Sequence, residues 1–591
     1  MNTLLNTYNQ RIETHRSLAG TLQKKLFASS MFRLVVFVAG AFAVYFLWQY
    51  WQVAVGIAIG TFALFLFLVS RHENLKQKRN YHRAMVAINE REIQVLQGDF
   101  HNLPDGAEFL TDDHEYSRDI DLFGKGSFFQ YLNRSVTKDG VITLSRKLTN
   151  NNPTAIPEKQ EAVKELATKL DFRQTYAATA TLLDNDKEPK QMLKWIEDYT
   201  SFVPAIYKWL PWAFFAVSIG IVVLYFNDLI NGWFIAGIFF LGLAITRHFL
   251  KRINEFSINI SKLELFFQQY SKLILSIEKE EFTSELLVDF KNQILTTGNA
   301  ASSRLAQLAS AIGRLDQRNN MLFGILANGL GLWDLKQVHT IEQWLGENKS
   351  HVRNWLETAA QIDAMNSLGN YAYNHPEYLF PTISDGDFKL QATNVKHPLL
   401  DPQKAIGNDI NIESGEFFII TGANMAGKST FLRTVSMTIV MSNAGLPIWC
   451  DEVSYSPIQL ITSMRTSDSL TDDESYFFSE LKRLKYIVDK IENDRYFIVL
   501  DEILKGTNSQ DKANGSRKLL EKLSLKHATG IIATHDLSLT EVAKEYDTIS
   551  NYFFDADITN DVLTFDYKFK DGVATNMNAS FLLRKMGIVD E

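Results

Sequence analysis

Hydrophobic positions are distributed unevenly along the chain. Two stretches, Phe32–Ser70 and Trp209–Thr246, are almost devoid of charge. Each divides into two apolar segments around a short polar break. Phe32–Trp48 and Val53–Ser70 flank Gln49-Tyr50-Trp51-Gln52, and Leu210–Phe226 and Leu229–Thr246 flank Asn227-Asp228. Segments of roughly 17–18 residues stand at the short end of what crosses a bilayer as a helix. Trp48, Tyr50, Trp51 and Trp233 cluster at the breaks, and Tyr207, Trp209 and Trp212 at an opposite end, as an interfacial aromatic belt does. The pattern predicts two transmembrane helical hairpins. The competing reading, buried hairpins of a large water-soluble core, leaves the flanking charges unexplained.

Those charges set the orientation. Neither break holds Lys or Arg, whereas Lys24, Lys25, Arg33, Arg71, Lys76, Lys78 and Arg79 flank the first pair. Lys190, Lys194, Lys208, Arg247, Lys251 and Arg252 flank the second. The positive-inside rule then leaves every sizeable polar segment in the cytoplasm, as in a multi-pass protein of the cytoplasmic (inner) membrane. A cleaved signal peptide fits poorly, because the first apolar run starts after about 30 mostly polar residues. Residues 1–30 carry Leu4, Leu5, Tyr8, Ile12, Leu18, Leu22 and Leu26 at helical spacing, and 72–98 repeat this with Leu75, Met85, Ile88, Ile93 and Leu96. A long antiparallel helical pair, continuous with the first hairpin, is expected.

Composition alone conceals this division. The 591 residues, 46% hydrophobic and 22% charged, suit a globular chain of several domains and exclude disorder and low complexity. The single cysteine, Cys450, excludes a disulfide framework. A net charge of −8 argues against coating nucleic acid by bulk electrostatics.

The chemistry is concentrated near the C-terminus. Phe417-Phe418-Ile419-Ile420, an apolar β-prone run, leads into Thr421-Gly422-Ala423-Asn424-Met425-Ala426-Gly427-Lys428-Ser429-Thr430 and then a helical pattern. This is a complete G-x-x-x-x-G-K-[ST] element in strand–loop–helix context. Its glycines let backbone N–H groups converge on phosphates at a helix N-terminus, with Lys428 reaching the β- and γ-phosphates and Ser429 ligating Mg²⁺. A second strand, Tyr496–Leu500, ends in Asp501, assigned to Mg²⁺, and Glu502, assigned as general base toward water. A third, Gly530–Thr534, ends in His535, placed as a γ-phosphate sensor. An ATP hydrolase using Mg²⁺ follows from these residues.

The same residues resemble the MutS family of ABC-type ATPases. Thr421–Thr430 differs from that family's T-G-P-N-M-A-G-K-S-T only at Ala423, and Ala533-Thr534-His535 matches its A-T-H. Leu500–Ile503 with Gly506–Asp511 resembles its D-E-I-G-R-G-T-S-T-x-D segment. Asp468–Leu481 resembles its signature segment, with Ser475, Phe477 and Glu480 in register. Upstream, Lys396-His397-Pro398 and Asn408-Asp409-Ile410 look like its lead-in, while Phe128–Leu166 and Asp363–Pro381 resemble parts of its helical core and lever. The resemblance implies a homodimer through the ATPase domains, with Ser475 contacting the γ-phosphate in trans and Asn508, Ser509 and Asp511 at the interface. It also implies that ATP turnover moves long helical levers.

Two departures bear on function. An acidic run, Asp472-Asp473-Glu474, precedes Ser475 where the family has G-R, and it disfavours a neighbouring γ-phosphate. No Phe-x-Glu wedge for stacking on a mismatched base occurs in the first 200 residues. Residues 253–330 carry seven Lys or Arg against eight Asp or Glu without clustering, so no basic stripe for DNA is visible. The expected fold is an α/β P-loop domain of ABC/MutS type at the C-terminus, joined to an all-α core and lever with two transmembrane hairpins. Residues 1–98 are assigned to the helical pair, 99–208 to the first part of the core and 209–250 to the second hairpin. Residues 251–376 form the lever and second part of the core, and 377–591 the ATPase. The favoured function is a membrane-anchored, dimeric ATPase acting on an unidentified protein partner. ATP-dependent binding of mismatched or branched DNA is the alternative. An ABC-type transporter ranks third, since no L-S-G-G-Q signature occurs.

Overall fold

The computed structural model describes residues 2–182, 189–295, 300–465, 476–559, 562–574 and 588. Helices α1 (Asn2–Phe46) and α2 (Trp51–Leu96) run antiparallel, joined by a turn at 47–50. At 1.5 Å rise per residue each is about 68 Å long, roughly twice the thickness of a bilayer's hydrocarbon core. Both are long and apolar enough to cross a membrane, as is the helix that starts at Trp233. Their packing is inverted toward the shared turn: Gly40 and Ala54 are buried, while Phe37, Phe42, Phe62 and Phe67 are exposed. A Cβ on Gly40 would overlap the Thr61 side chain, so only glycine permits this approach.

The opposite end of the pair docks on a helical body made of α3 (Phe128–Leu132), α4 (Lys138–Thr149), α5 (Ile156–Thr168), α6 (Leu170–Thr181) and α7 (Pro189–Asp198). The joint is polar and buried. Glu92 of α2 lies 2.6 Å from Arg134 and accepts hydrogen bonds from Asn370 and Asn374 at 2.9 Å. Tyr8 of α1 donates to Asn374, and Asn89 exchanges hydrogen bonds with Gln174. Buried charges are tolerated where every polar atom finds a partner, and Glu92 has three.

The second apolar stretch forms α8 (Leu210–Phe226) and α9 (Trp233–Ile260). The helix after the break begins at Trp233, not at Leu229. Asp228 takes a left-handed conformation (φ 59°) and Asn231 Oδ1 accepts from the Trp233 N–H, so the chain turns for four further residues. Here the buried positions include the small or polar Ser218, Gly242 and Thr246 beside Pro211 and Phe214, and Phe234, Phe240 and Leu241 face outward. The helices α10 (Glu264–Lys279), α11 (Glu285–Leu295), α12 (Ala301–Asp316) and α13 (Met321–Gly331) follow.

Helix α14 (Trp333–Asn374) is 42 residues long and buries Leu335, Val338, Ile341, Trp355, Ile362 and Leu368 among others. About three quarters of the way along, the buried Asp363 carboxylate accepts from the Val136 and Thr137 N–H groups and the Thr137 hydroxyl. Thr137 in turn caps α4 by accepting from the Gly140 N–H, and a Cβ on Gly140 would collide with Asp363. Beyond α14, Tyr378 stacks on Trp449 with ring centroids 5.5 Å apart.

The C-terminal region holds two main sheets. Strands β1 (Thr382–Ile383), β2 (Lys389–Val395), β3 (Asn408–Glu413) and β5 (Glu452–Tyr455) form a mixed sheet in the order β1-β5-β2-β3. The larger sheet combines β4 (Phe417–Gly422), β6 (Gln459–Ser463), β7 (Tyr496–Asp501), β8 (Thr529–Ala533), β9 (Ile549–Phe554) and β12 (Phe569–Asp571) in the order β12-β9-β4-β8-β7-β6. All pair in parallel except β12. Its central strands are buried throughout, as a parallel sheet covered on both faces requires. Helices α15 (Lys428–Asn443), α16 (Tyr476–Lys490) and α17 (Ser509–Leu525) belong to this unit, and β10 (Asp557–Thr559) pairs with β11 (Val562–Thr564).

Residues 112–121, assigned above to the helical core, lie against this sheet's β6 edge. The Thr462 N–H donates to the Glu115 carbonyl, and Asp119 accepts from the Thr462 hydroxyl and the Met464 and Arg465 N–H groups. The two halves of the chain are thereby stitched together where β6 ends. Glu92→Ala would leave Arg134 buried without its counter-charge and should cost about 3–5 kcal/mol. A lowered denaturation midpoint in detergent, with Glu92→Gln intermediate, is the expected result.

Candidate active site

The site sits at the carboxyl ends of β4, β7 and β8, which are adjacent and parallel. After β4 the backbone makes a tight loop over Gly422–Gly427 before α15 begins at Lys428. The loop requires left-handed conformations at Gly422 (φ 143°), Met425 (φ 67°) and Gly427 (φ 109°). At Gly422 the reason is also steric, because a Cβ there would lie 2.4 Å from the Phe554 carbonyl oxygen. Ala423 and Ala426 are buried supports, whereas Asn424, Met425, Ser429 and Thr430 are exposed on the outer side. The start of α15 thus presents backbone N–H groups and a positive dipole end, suited to an anion.

Lys428 is buried and donates to the Gly422 carbonyl at 2.7 Å and the Ala423 carbonyl at 2.9 Å. Burial lowers its pKa, while Asp501 and Glu502 oppose that shift. The Ser429 hydroxyl donates to Asp501 Oδ2 at 2.9 Å, and burial raises the Asp501 pKa. Glu502 adopts φ 50°, a strained conformation for a non-glycine residue, and its N–H donates to the Ala533 carbonyl. Its carboxylate lies 2.8 Å from His535 Nε2 and 3.4 Å from Lys505 Nζ. The His535 hydrogen bond, aided by Lys505, pulls the Glu502 pKa down to about 2. His535 Nε2 is also 3.5 Å from Lys428 Nζ. Three strand ends therefore bring Lys428, Ser429, Asp501, Glu502 and His535 into one cluster. Among the described residues no three His, Cys, Asp or Glu side chains gather as a metal site, so a cation here would draw on Ser429, Asp501 and a bound anion.

Beside Gly427 and Thr430 opens a cavity of about 310 Å³ lined by His397, Leu400, Ile406, Phe431 and Tyr567. Burial, with Arg433 nearby, pushes the His397 pKa down to about 4, so its ring is neutral at ordinary pH. Ser475 and the acidic residues Asp472–Glu474 before it lie outside the described residues. Of the loop assigned to the dimer interface, Asn508 caps α17 by accepting from the Asp511 N–H, and its side-chain amide donates to the Asp511 carboxylate at 2.7 Å. Ser509, the first residue of α17, is exposed.

Glu480 is the residue whose part the sequence left open. Its buried carboxylate accepts from the Leu504 and Lys505 N–H groups and fixes the loop that follows Glu502. Burial raises its pKa. Only its register within a signature-like segment pointed to it, since its partners lie 24 and 25 positions away.

Residues 418–584 match the model of MutS domain V. The protein is 28% identical to the DNA mismatch repair protein MutS of Finegoldia magna over 324 residues, covering 53% of this chain and 36% of the relative. Similarity to the proteins of the same name from Thermotoga maritima (27%, covering 41% and 31%) and Fusobacterium nucleatum (30%, covering 36% and 24%) is of the same kind. Over residues 418–584 the chain is thus similar to domain V of the MutS family. It spans about a third of the length of the curated MutS relatives it matches. In this MutS-type region, Glu480→Ala should strip hydrogen-exchange protection from the Leu504 and Lys505 amides while β4 and β8 stay protected. Unchanged protection at 504 and 505 would show that the loop holds without the carboxylate.

Proposed function

We propose that the protein is a membrane-anchored ATP hydrolase in which a P-loop site drives movement of the α14 lever. The observation that carries the reading is the cluster at the ends of β4, β7 and β8, where a lysine, a hydroxyl–aspartate pair and a glutamate–histidine pair surround a glycine-built helix N-terminus. In this proposal Gly422–Thr430 cradle the phosphates and Lys428 turns from the loop carbonyls to the β- and γ-phosphates. Ser429 and Asp501 provide two oxygen ligands of the kind Mg²⁺ takes, leaving further positions to phosphate oxygens and water. The cavity lined by Phe431 and Tyr567 suits a flat base. Glu502, bonded to His535, is too acidic to act as a base in that pairing. When His535 turns to a γ-phosphate, Glu502 is released, its pKa rises and it can polarise water. The second γ-phosphate contact would come from Ser475 of the partner subunit in a homodimer.

The inverted packing of α1, α2, α8 and α9 supports the membrane reading. Side chains as large as Phe234 and Phe240 face out while Gly242 and Thr246 face in, the arrangement of helices surrounded by lipid. With basic residues at the outer flanks, the protein is proposed to be multi-pass in the inner membrane, its N-terminus, core and ATPase region in the cytoplasm. An unidentified protein partner would receive the lever movement.

DNA repair is the second reading, favoured by the names of the MutS relatives. Purified protein at physiological salt, tested with ATP against homoduplex, mismatched and branched DNA, should bind none of them; tight mismatch-selective binding would establish repair instead. For the ATPase itself, Lys428→Ala should abolish nucleotide binding, and Glu502→Gln should retain ATP and accumulate as an ATP-bound dimer. Wild-type hydrolysis by Glu502→Gln would remove it as the general base.

A further inference from the structure

Helix α13 has its amphipathic pattern reversed. Gly324, Asn328 and Gly329 are buried, and Met321, Leu322, Ile325 and Leu326 form one exposed face, the first two about three-quarters accessible. A short helix on a water-soluble protein places its large apolar residues inward, because each buried Leu, Ile or Met is worth about 1.5–3 kcal/mol. From Asn319 to Trp333 the chain carries no charged residue. Asn328, the polar side chain of the inner face, is satisfied by donating to the Gly324 carbonyl and accepting from the Asp334 N–H.

The contacts of α13 place it with the membrane hairpin. A Cβ on Gly242 of α9 would lie 2.4 Å from the Gly329 carbonyl oxygen, and one on Gly329 would lie 2.3 Å from the Phe239 ring. Backbone approach through paired glycines is how helices associate where lipid surrounds them. Gly331 meets Phe215 of α8. Phe215 and Gly242 lie nearer the basic flanks Lys208 and Arg247 than the hairpin break, and Phe239 lies near the middle of the apolar part of α9. At its base, Arg318 pairs with Asp334 at 2.8 Å, and Lys336 sits 3.4 Å over the Trp212 ring. Trp212 and Trp209 are exposed there, as belt residues at a bilayer surface are.

We propose that α13 is a lipid-inserted wedge, seated in the cytoplasmic leaflet with Met321, Leu322, Ile325 and Leu326 against acyl chains. At about 16 Å it is too short to span the bilayer and reaches only part of one leaflet. Leu332, in a left-handed conformation (φ 52°), is the single residue between this wedge and α14. The occupant of the exposed face is the bilayer that already surrounds α8 and α9, since the two apolar surfaces are continuous. Movement of α14 would therefore tilt or withdraw a lipid-embedded element. The inference rests on the membrane reading of α8 and α9, and its test separates the two.

Full-length protein in a Cys450→Ala background would carry one further cysteine, Leu322→Cys, Leu326→Cys, Val217→Cys on α8 or Gly346→Cys on α14. Each is alkylated with a polarity-sensitive fluorophore and reconstituted into phosphatidylcholine–phosphatidylglycerol vesicles with or without brominated acyl chains. Labels at 322, 326 and 217 should emit at shorter wavelength and lose intensity with brominated lipid, while 346 responds only to aqueous iodide. Quenching at 217 by lipid but at 322 and 326 only by iodide would overturn the wedge and leave the membrane hairpin standing. Iodide quenching alone at 217 as well would overturn both. All four positions are solvent-facing on the isolated protein, so labelling does not require repacking of a core.

Discussion

One helix constrains everything else. α14 is continuous from Trp333 to Asn374; it keeps an exposed stripe through Thr340, Gln343, Glu347, Ser350 and Glu357, and from Thr358 to Ala372 its residues are buried or half-buried all round. Its first turn holds Lys336 against Trp212 at the foot of the second hairpin, and just past its last turn Tyr378 stacks on Trp449 in the sheet region. The helix spans about 63 Å. In the proposed function, a continuous helix of that length carries a displacement from one end to the other. Asp363 and Glu92 are the polar pins that seat it, one against the start of α4 and the other against α2 and Arg134. Because both hairpins touch α14 or its pins, they share one mechanical frame.

The reactive cluster is attached to that frame by a second route. Asp119 and Asp121 hold the exit of β6, with Asp121 paired to Arg433 and Arg465. Arg433 lies on α15, the helix that begins at Lys428. Helix α15, through Arg433, and the exit of β6 thus meet at the same two residues, Asp119 and Asp121.

The placement of the candidate site residues was legible in the sequence, and distant partnerships were not. Lys428 and Ser429 could be read from one ten-residue run, and Asp501, Glu502 and His535 from their positions at the ends of apolar strands. Their convergence follows because parallel neighbours place those ends side by side. Asp119 and Glu92 gave no such signal: the Asp119–Thr462 contact spans 343 positions and Glu92–Asn374 spans 282. The break expected at Asn227-Asp228 runs on to Gly232, because Asn231 and Gly232 delay the second helix. For α13, the charge-free run from Asn319 to Trp333 does not say which face is outside. Only the burial of Gly324, Asn328 and Gly329 reveals the inversion.

The proposed function requires that nucleotide binding at the C-terminal site displace the far end of α14. Spin labels at Gly346→Cys and Lys518→Cys, with Cys450→Ala, report the distance between lever and sheet region in reconstituted protein. In a Glu502→Gln background, ATP with Mg²⁺ should shift the distance distribution, and the same addition to Lys428→Ala should leave it where it was. Identical distributions with and without ATP in Glu502→Gln protein that demonstrably binds nucleotide would contradict the account.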